Sequence, residues 1–186
     1  MKLSDLRSRN DIGAALNSMG LTGKGAEIGV AFGENAELIL ETSNLTTLIL
    51  VDPWSAVKGQ DGKGYANAIK DWHGCYCFCT GKLARFGERA KYMRMSSVEA
   101  AGQIPDGSLD FVYIDANHAS PMIDNDLIAW WPKVKSGGVF GGHDYYVKND
   151  GGYRCDVKTA VDSFFSDKAI ALVITTECAS WYCIKP

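Results

Sequence analysis

A carboxylate and an imidazole directly follow an apolar run in the second half of the chain. In the stretch FVYIDANHAS, four residues suited to a buried strand lead into Asp115, Asn117 and His118. Imidazole changes its charge near neutral pH, so His118 is a candidate for accepting or donating a proton. The pair therefore marks either the edge of a reaction site or a polar loop that happens to contain a histidine.

A glycine-containing stretch, EIGVAFGENA, is the second pattern with chemical meaning. Glycines at this point let the backbone approach a ligand closely. The dinucleotide pattern G-x-G-x-x-G is absent, because Ala31 and Glu34 occupy its second and third glycine positions counted from Gly29. Glu34 would also repel a pyrophosphate. The pattern that is present, formed by Glu27, Gly29 and Gly33, suits a ligand that carries positive charge.

Two further segments offer polar groups to a nucleoside. The run LVDPW ends a predicted strand at Asp52, whose carboxylate could accept hydrogen bonds from ribose hydroxyls. The alternative is that Asp52 only shapes the turn before Pro53. After the next predicted strand, Ser96 and Ser97 could face an adenine or could simply cap the helix VEAAGQI, and both roles are compatible.

These residues need a scaffold that brings several strand ends together. From about residue 24 onward, apolar runs bounded by turn signals alternate with helical patterns, which predicts a parallel sheet with helices on both faces. The last two runs, IALVITT and SWYCIK, are too close for a helical crossover and predict an antiparallel hairpin. Ligands of open α/β sheets bind at the carboxyl ends of the strands, where Asp115 and His118 are expected.

Helix boundaries follow from capping signals. Residues 3–19 are predicted to form an extra helix capped by Ser4. After the FVYI strand, Ser120 is predicted as the N-cap and Pro121 as the first helical residue. Asp115 to His118 would then occupy a short strand-to-helix loop.

A cluster of three cysteines, in CYCFC, raises the question of a metal centre. The surrounding apolar residues recur at helical spacing, which predicts one amphipathic helix. That stripe consists of Tyr65, Ile69, Trp72, Tyr76, Cys79, Leu83 and Phe86. On a helix, Cys75 and Cys79 share a face while Cys77 points away, so three thiolates could not reach one ion. The six cysteines of the chain are therefore predicted to be free structural thiols.

Composition limits the class of protein. A length of 186 residues with 46% hydrophobic and 22% charged residues predicts one globular domain, residues 1–186. Within it, an N-terminal helix is expected in residues 1–20 and the core in residues 24–186. The net charge of −3 and the lack of a basic run argue against nucleic acid as a partner. No apolar run has the ~20 residues that a membrane helix needs, and no signal peptide is visible, so no membrane association and a cytoplasmic location are expected.

The motifs EIGVAFG, LVDPW, SSVEA, FVYIDANH and GGVFGGHDY, in this order, resemble those of class I S-adenosylmethionine-dependent methyltransferases. The resemblance covers roughly residues 24–185 and is greatest to the small-molecule O-methyltransferase branch that includes sugar-modifying enzymes. It implies a Rossmann-like α/β fold with helices on both faces of a seven-stranded, mostly parallel sheet whose last strand is antiparallel.

The resemblance also implies S-adenosylmethionine as the cofactor. The glycine loop is expected at the methionine part, Asp52 at the ribose and the serine loop at the adenine. The positions expected to surround the cofactor are Glu27, Gly29, Ala31, Gly33, Asp52, Trp54, Ser96, Ser97, Val98 and Asp115.

Several members of that branch hold a divalent cation with acidic residues at the ends of the fourth and fifth strands. Here the corresponding residues are Asp115 and Asp144, and oxygen ligands of this kind favour Mg²⁺, Mn²⁺ or Ca²⁺. His143 departs from the pattern, because an acidic residue is more usual there, and an imidazole could instead ligate a transition metal. In some sugar-modifying relatives the D-x-x-H spacing places a general base at the position of His118. Asp115 and His118 are thus the candidate catalytic residues.

The acceptor is expected to be a hydroxyl of a small molecule, preferably a sugar or glycan, with a catechol-like phenol next. Tyr145, Tyr146 and Tyr153 are candidates for its pocket wall, and the segment VKNDGGYR is predicted to act as a mobile lid. The alternatives are a metal-independent methyltransferase, a nicotinamide-dependent oxidoreductase and a nucleoside-binding module without catalysis. A homo-oligomer is compatible with the sequence.

Overall fold

A seven-stranded sheet organises the computed structural model, which describes residues 1–55, 69–150 and 153–186. The strands in chain order are β1 (Lys24–Ile28), β2 (Thr47–Val51), β3 (Ala90–Met93), β4 (Leu109–Ile114), β5 (Val134–Gly142), β6 (Lys148–Asp150), β7 (Tyr153–Cys155), β8 (Val173–Ile174) and β9 (Trp181–Ile184). The main sheet has the order β3-β2-β1-β4-β5-β9-β8, and β6 pairs with β7 in a separate hairpin.

Strands β1 to β5 run parallel, whereas β9 is antiparallel to both β5 and β8. This arrangement confirms the mostly parallel sheet and the antiparallel hairpin near the end of the chain. The chain order of the strands reverses between β1 and β4, and such a reversal is where open α/β sheets form a ligand crevice.

Six α-helices accompany the sheet within the described ranges. They are α1 (Ile12–Ser18), α2 (Glu34–Thr42), α3 (Trp72–Leu83), α4 (Ser97–Gly102), α5 (Met122–Trp130) and α6 (Val157–Phe165). Short 3₁₀ turns occur at Leu3–Asp5, Arg9–Asp11, Ala84–Arg89 and Trp131–Lys133.

Both faces of the sheet are buried, which explains the nearly continuous apolar strands. Along β4, Phe111 and Tyr113 belong to one core cluster, and Val112 and Ile114 belong to the other. The first cluster includes helices α1, α2 and α3, and the second includes α4, α5 and α6. The prediction of helices on both faces is therefore confirmed.

The predicted N-terminal helix over residues 3–19 is wrong in its first half. Two 3₁₀ turns precede α1, and Ser8, not Ser4, caps the second of them through a hydrogen bond from the Asn10 amide. Each turn is closed by its own aspartate, since the Asp5 side chain accepts from Lys2 N and the Asp11 side chain from Ser8 N. Local side-chain bonds of this kind compete with a continuous helix.

Other boundaries also differ from the predictions. Helix α5 begins at Met122, so its N-cap is Pro121 and not Ser120. The hydroxyl of Ser120 instead donates a hydrogen bond to the Asp124 side chain. The segment predicted as a lid contains the β6–β7 hairpin. Whether it acts as a lid stays a prediction.

The cysteine prediction agrees with the geometry of α3. Cys75 and Cys79 are buried, Cys77 is exposed, and all six cysteines are free thiols. The predicted stripe begins at Tyr65, which lies outside the described residues, and the helix itself begins at Trp72. Phe86 follows the helix in a 3₁₀ turn. In the part of the chain that is described, no helix combines the length and apolarity required to cross a membrane.

Candidate active site

The carboxyl ends of the parallel strands bring the predicted site residues to one edge of the sheet. The backbone amides of Gly29, Asp115 and His143 donate to carbonyls at the end of the neighbouring strand, over 2.9, 2.7 and 2.9 Å. The residues that follow β1, β4 and β5 are therefore held level with one another, and Asp52 follows β2 in the same way. Side chains that are about 90 residues apart in the sequence meet here.

Gly29 makes the crossing of the β1–α2 loop over β4 sterically feasible. Its φ is +85°, and a Cβ at this position would lie 2.2 Å from the carbonyl oxygen of Asp115. Gly33, at φ +80°, is the N-cap of α2, and Ala31 between them also has a positive φ of 46°. The loop is therefore bent back against the strand end that carries Asp115.

Glu27 is a buried carboxylate with an unused oxygen. Its side chain is 2% exposed, and Oε1 accepts a hydrogen bond of 3.0 Å from Asn35 Nδ2. Among the described residues, Oε2 has no hydrogen-bond partner. Burial raises the pKa of Glu27 to about 8. An oxygen in this state is suited to receive a positively charged ligand group.

Substitution of Glu27 by glutamine should stabilise the unliganded protein at alkaline pH. The pKa is about 8 in the folded protein against an ordinary 4.5, so the folded state binds more protons and wild-type stability falls as pH rises between these values. Glu27→Gln removes this loss, which is on the order of 5 kcal/mol by pH 9. The measurement is urea unfolding from pH 4 to 9.

Glu41→Gln is the matched control, because Glu41 is on α2, half-exposed and paired with Arg85. Its unfolding free energy should follow the wild-type dependence on pH. Identical pH profiles for Glu27→Gln and wild type would contradict the assignment of a neutral, buried Glu27.

Asp52 holds the glycine loop. Its Oδ2 accepts from the amides of Val30 and Ala31, each at 3.0 Å, and its Oδ1 accepts from the Trp54 amide at 2.7 Å. The bond from Trp54 shows that Asp52 also shapes the turn at Pro53, which was the alternative role. Oδ1, which accepts a single bond, has lone-pair capacity left for a further donor.

Trp54 was expected to contact the cofactor, which stays a prediction, and its side chain is fully buried. The indole N–H donates to the Ala31 carbonyl over 2.9 Å, and the ring packs edge-on against Tyr76. The physical reason is size, because a large aromatic ring after β2 fills the space between α3 and the loop. Trp54 supports the glycine loop from behind.

The serine loop after β3 has the predicted capping role. Ser96 caps α4 in a reciprocal arrangement with Glu99. The Ser97 hydroxyl accepts from Trp130 Nε1 at 2.8 Å and bonds to the buried Asp126. Burial raises the pKa of Asp126 to about 6. Val98, in the first turn of α4, is 52% exposed.

His118 lies between two carboxylates. Its Nε2 is 3.2 Å from Asp115 Oδ1, and its Nδ1 is 3.4 Å from Asp144 Oδ2. Burial favours a lower pKa for His118, but the hydrogen bond and charge of Asp115 and the charge of Asp144 outweigh it and raise the pKa. The imidazole is thus polarised at the strand edge where a ligand is expected.

A compact group of potential metal ligands is formed by Asp115, His118 and Asp144, whose ligand atoms lie within 4.8 Å of one another. His143 was the expected third member, but its Nδ1 is 2.8 Å from Asp144 Oδ1 and 3.9 Å from Asp115. Its Nε2 is buried without a hydrogen-bond partner among the described residues. The group of three thus contains His118, and His143 lies beside it against Asp144, so its role as a ligand stays a prediction.

One of the three candidate pocket tyrosines contacts His118, and a second contacts the first. The Tyr153 hydroxyl is 3.4 Å from His118 Nδ1, and the Tyr146 hydroxyl is 3.3 Å from that of Tyr153. Tyr145 instead donates to Asp162 on α6. The hydroxyls of Tyr146 and Tyr153 thus adjoin the reactive group, and that of Tyr145 does not.

Sequence reasoning missed Arg9 and Asp126. Arg9 Nη1 is 3.6 Å from Asp115 Oδ2, although the two residues are over 100 positions apart. No spacing signal links an N-terminal arginine to β4. Asp126 had a visible signal, because it stands beside Leu127 and Trp130 on the apolar face of the helix.

Comparisons with known proteins agree with this geometry. Residues 26–145, more than half of the chain, match the family model described as a methyltransferase domain. No curated protein matches the sequence.

Several solved structures share the fold. An O-methyltransferase from Bacillus cereus, solved with SAH, has a TM-score of 0.62 at 11% identity over 100% of this chain and 82% of its own. The O-methyltransferase TomG from Streptomyces achromogenes, involved in tomaymycin synthesis and solved with SAM, has a TM-score of 0.62 at 11% identity over 96% and 79%. The 1,6-didemethyltoxoflavin-N1-methyltransferase of Burkholderia thailandensis has a TM-score of 0.58 at 12% identity over 96% and 79%.

At these identities the solved structures establish the fold, and the family model establishes the family. The chain belongs to the methyltransferase domain family, and its fold is that of the class I methyltransferases.

Proposed function

We propose that the protein transfers the methyl group of S-adenosylmethionine to a hydroxyl oxygen of a small molecule, preferably a sugar, with His118 as the general base. The observation that carries this proposal is the position of His118 between Asp115 and Asp144 at the carboxyl edge of the sheet. Two of the similar structures are O-methyltransferases, which supports oxygen as the acceptor atom. The preference for a sugar rests on the D-x-x-H spacing of Asp115 and His118.

The cofactor is proposed to lie along the ends of β1, β2 and β3. The unpartnered oxygen of Glu27 and the bent loop at Gly29, Ala31 and Gly33 suit the positively charged methionine end. Asp52 is placed for the ribose, and Val98 offers exposed surface to the adenine. The presence of SAH and SAM in the similar structures supports this assignment.

Catalysis then needs alignment and one proton transfer. The sulfonium of S-adenosylmethionine supplies an already activated methyl group. The chain has to orient the acceptor oxygen in line with it, and alignment alone contributes about 7–11 kcal/mol in the best model systems. His118 takes the hydroxyl proton. Its ring is oriented by Asp115 at Nε2 and by Tyr153 at Nδ1.

The charge of His118 sets a condition on this role. The carboxylates near both ring nitrogens raise the pKa of His118 and so favour the protonated imidazole, which cannot accept a proton. His118 becomes a base once one of these carboxylates interacts with another cation.

A divalent ion fits the carboxylates of Asp115 and Asp144, which lie beside each other at this edge. Oxygen ligands of this kind suit Mg²⁺, Mn²⁺ or Ca²⁺, and His118 then stays free of the ion, as its role as a base requires. When bound by Asp115 and Asp144, such an ion would neutralise both carboxylates and lower the pKa of a coordinated hydroxyl. We therefore include a divalent cation in the proposal, with a metal-independent enzyme as the alternative.

Replacement of Asp144 by asparagine should abolish metal retention. Wild-type protein equilibrated with Mn²⁺ and then gel-filtered should keep close to a single ion per chain by mass spectrometry, and Asp144→Asn should keep almost none. Asp162→Asn is the control, because Asp162 is an exposed carboxylate on α6 paired with Lys158. Equal metal content in all three proteins, or full activity after exhaustive chelation, would contradict the metal site.

The proposed activity is tested with S-adenosylmethionine labelled in its methyl group. Sugars and sugar nucleotides, catechols and small amines are offered as acceptors, and the labelled product is identified by mass spectrometry. Label on a sugar oxygen supports the full proposal, and label on a phenol supports O-methylation alone. Label only on nitrogen would contradict O-methylation, and binding of NAD in place of S-adenosylmethionine would favour the oxidoreductase alternative.

A further inference from the structure

We propose that Arg9 binds the carboxylate of the methionine moiety of S-adenosylmethionine and thereby recognises the amino-acid end of the cofactor. The inference rests on the proposed cofactor site and adds a specificity-determining residue from outside the matched family region, which begins at residue 26. It also gives a function to the N-terminal segment, which contributes no strand to the sheet.

The position of Arg9 is the first observation. Its guanidinium lies 3.6 Å from Asp115 and hydrogen-bonds the Tyr113 hydroxyl, and it also interacts electrostatically with Glu27. Its side chain is 31% exposed, so some donors remain accessible to a ligand. Arg9 thus borders the ends of β1 and β4, where the methionine end is proposed to lie.

The N-terminal segment holds Arg9 in this position. Leu3 and Leu6 are buried in the core cluster that includes α1 and α2. The Asp11 side chain accepts hydrogen bonds from the amides of Arg7 and Ser8, at 2.9 and 3.1 Å. The 3₁₀ turn that carries Arg9 is therefore anchored on both sides, which reduces the entropy lost when its side chain binds a ligand.

The charges at this edge fit an α-amino acid group. The unpartnered oxygen of Glu27 and the carboxylate of Asp115 suit an ammonium group. Without a cation, the ligand carboxylate would face these two acids and be repelled. The guanidinium of Arg9 stays charged at all relevant pH values and can bind a carboxylate through two parallel hydrogen bonds.

A structural role for Arg9 makes a different prediction. If Arg9 only fastened the N-terminal segment to Asp115, its loss would weaken the binding of every cofactor analogue to the same degree. A role in carboxylate recognition weakens only ligands that carry the carboxylate. The discriminating probes are S-adenosylhomocysteine and its decarboxylated analogue, S-adenosyl-3-thiopropylamine.

The experiment is isothermal titration calorimetry of the full chain with both probes. Wild type should prefer S-adenosylhomocysteine by about 10- to 100-fold, the range expected for hydrogen bonds to a charged group. Arg9→Gln should bind both probes at the affinity that wild type has for the analogue, and Arg9→Lys should restore part of the preference. Arg7→Gln is the control, because Arg7 lies in the same segment and its exposed side chain pairs with Glu177.

The outcomes separate this inference from the proposed function. If Arg9→Gln keeps the wild-type preference, or loses affinity for both probes equally, the inference is overturned while the cofactor site stands. If wild type binds neither S-adenosylhomocysteine nor S-adenosylmethionine, the proposed function fails and this inference fails with it.

Discussion

Substitution of His118 by glutamine is expected to lower kcat for methyl transfer by about 10²–10⁴-fold, the usual contribution of a general base. The affinity for S-adenosylhomocysteine should stay almost unchanged, because His118 is assigned to the acceptor proton. Glutamine retains a polar side chain of similar reach, so the neighbouring carboxylates keep a hydrogen-bond partner. The loss should therefore appear in kcat and not in cofactor binding.

The measurement combines single-turnover methyl transfer with calorimetric titration of S-adenosylhomocysteine. His73→Gln is the matched control, since His73 lies on the exposed side of α3 and contacts Cys77. Its kcat should equal that of wild type. A His118→Gln enzyme with near-normal kcat would exclude His118 as the base and leave Asp115 as the remaining candidate.

Substitution of Gly29 by alanine should destabilise the fold and disable the site together. The added Cβ would lie 2.2 to 2.6 Å from three backbone atoms of Asp115 and Ala116. Backbone atoms cannot relieve such a clash by rotation, as a flexible side chain can. The positive φ of +85° adds strain for any residue with a Cβ. We expect a loss of about 3 kcal/mol or more in the free energy of unfolding, together with loss of cofactor binding.

Urea unfolding with and without S-adenosylhomocysteine measures both effects. Gly81→Ala is the control, because Gly81 lies inside α3 and a Cβ there has open space within 4 Å among the described residues. This control should gain about 0.5–1 kcal/mol from the higher helix propensity of alanine. A Gly29→Ala protein as stable as wild type would show that the β1–α2 loop can move away from β4.

The scaffold was predictable because its signals are local and repeated. Each strand is an apolar run ended by a polar or glycine residue, and parallel strands place those ends at one edge. The meeting of Asp115 and Asp144 follows from that rule alone. The predicted Ser96 cap and the opposite faces of Cys75 and Cys77 also follow from local geometry.

The other features of the site depend on tertiary contacts, which the spacing of residues along the sequence does not reveal. Arg9 approaches Asp115 through tertiary packing of the N-terminal segment. Trp54 is buried in the room between α3 and the glycine loop, which spacing alone does not show. The presence of His118 in the ligand group depends on side-chain direction. The cofactor roles of the loop residues stay predictions.

The three amide hydrogen bonds of Asp52 limit how the cofactor preference of this protein could be redesigned. Any replacement at Asp52 would release Val30, Ala31 and Trp54 at once, so a change aimed at the ribose would also unfasten the loop at the methionine end. Val98 makes no comparable contribution to the described structure and is exposed. An engineered enzyme for cofactor analogues enlarged on the adenine should therefore be sought at position 98, with Asp52 left untouched.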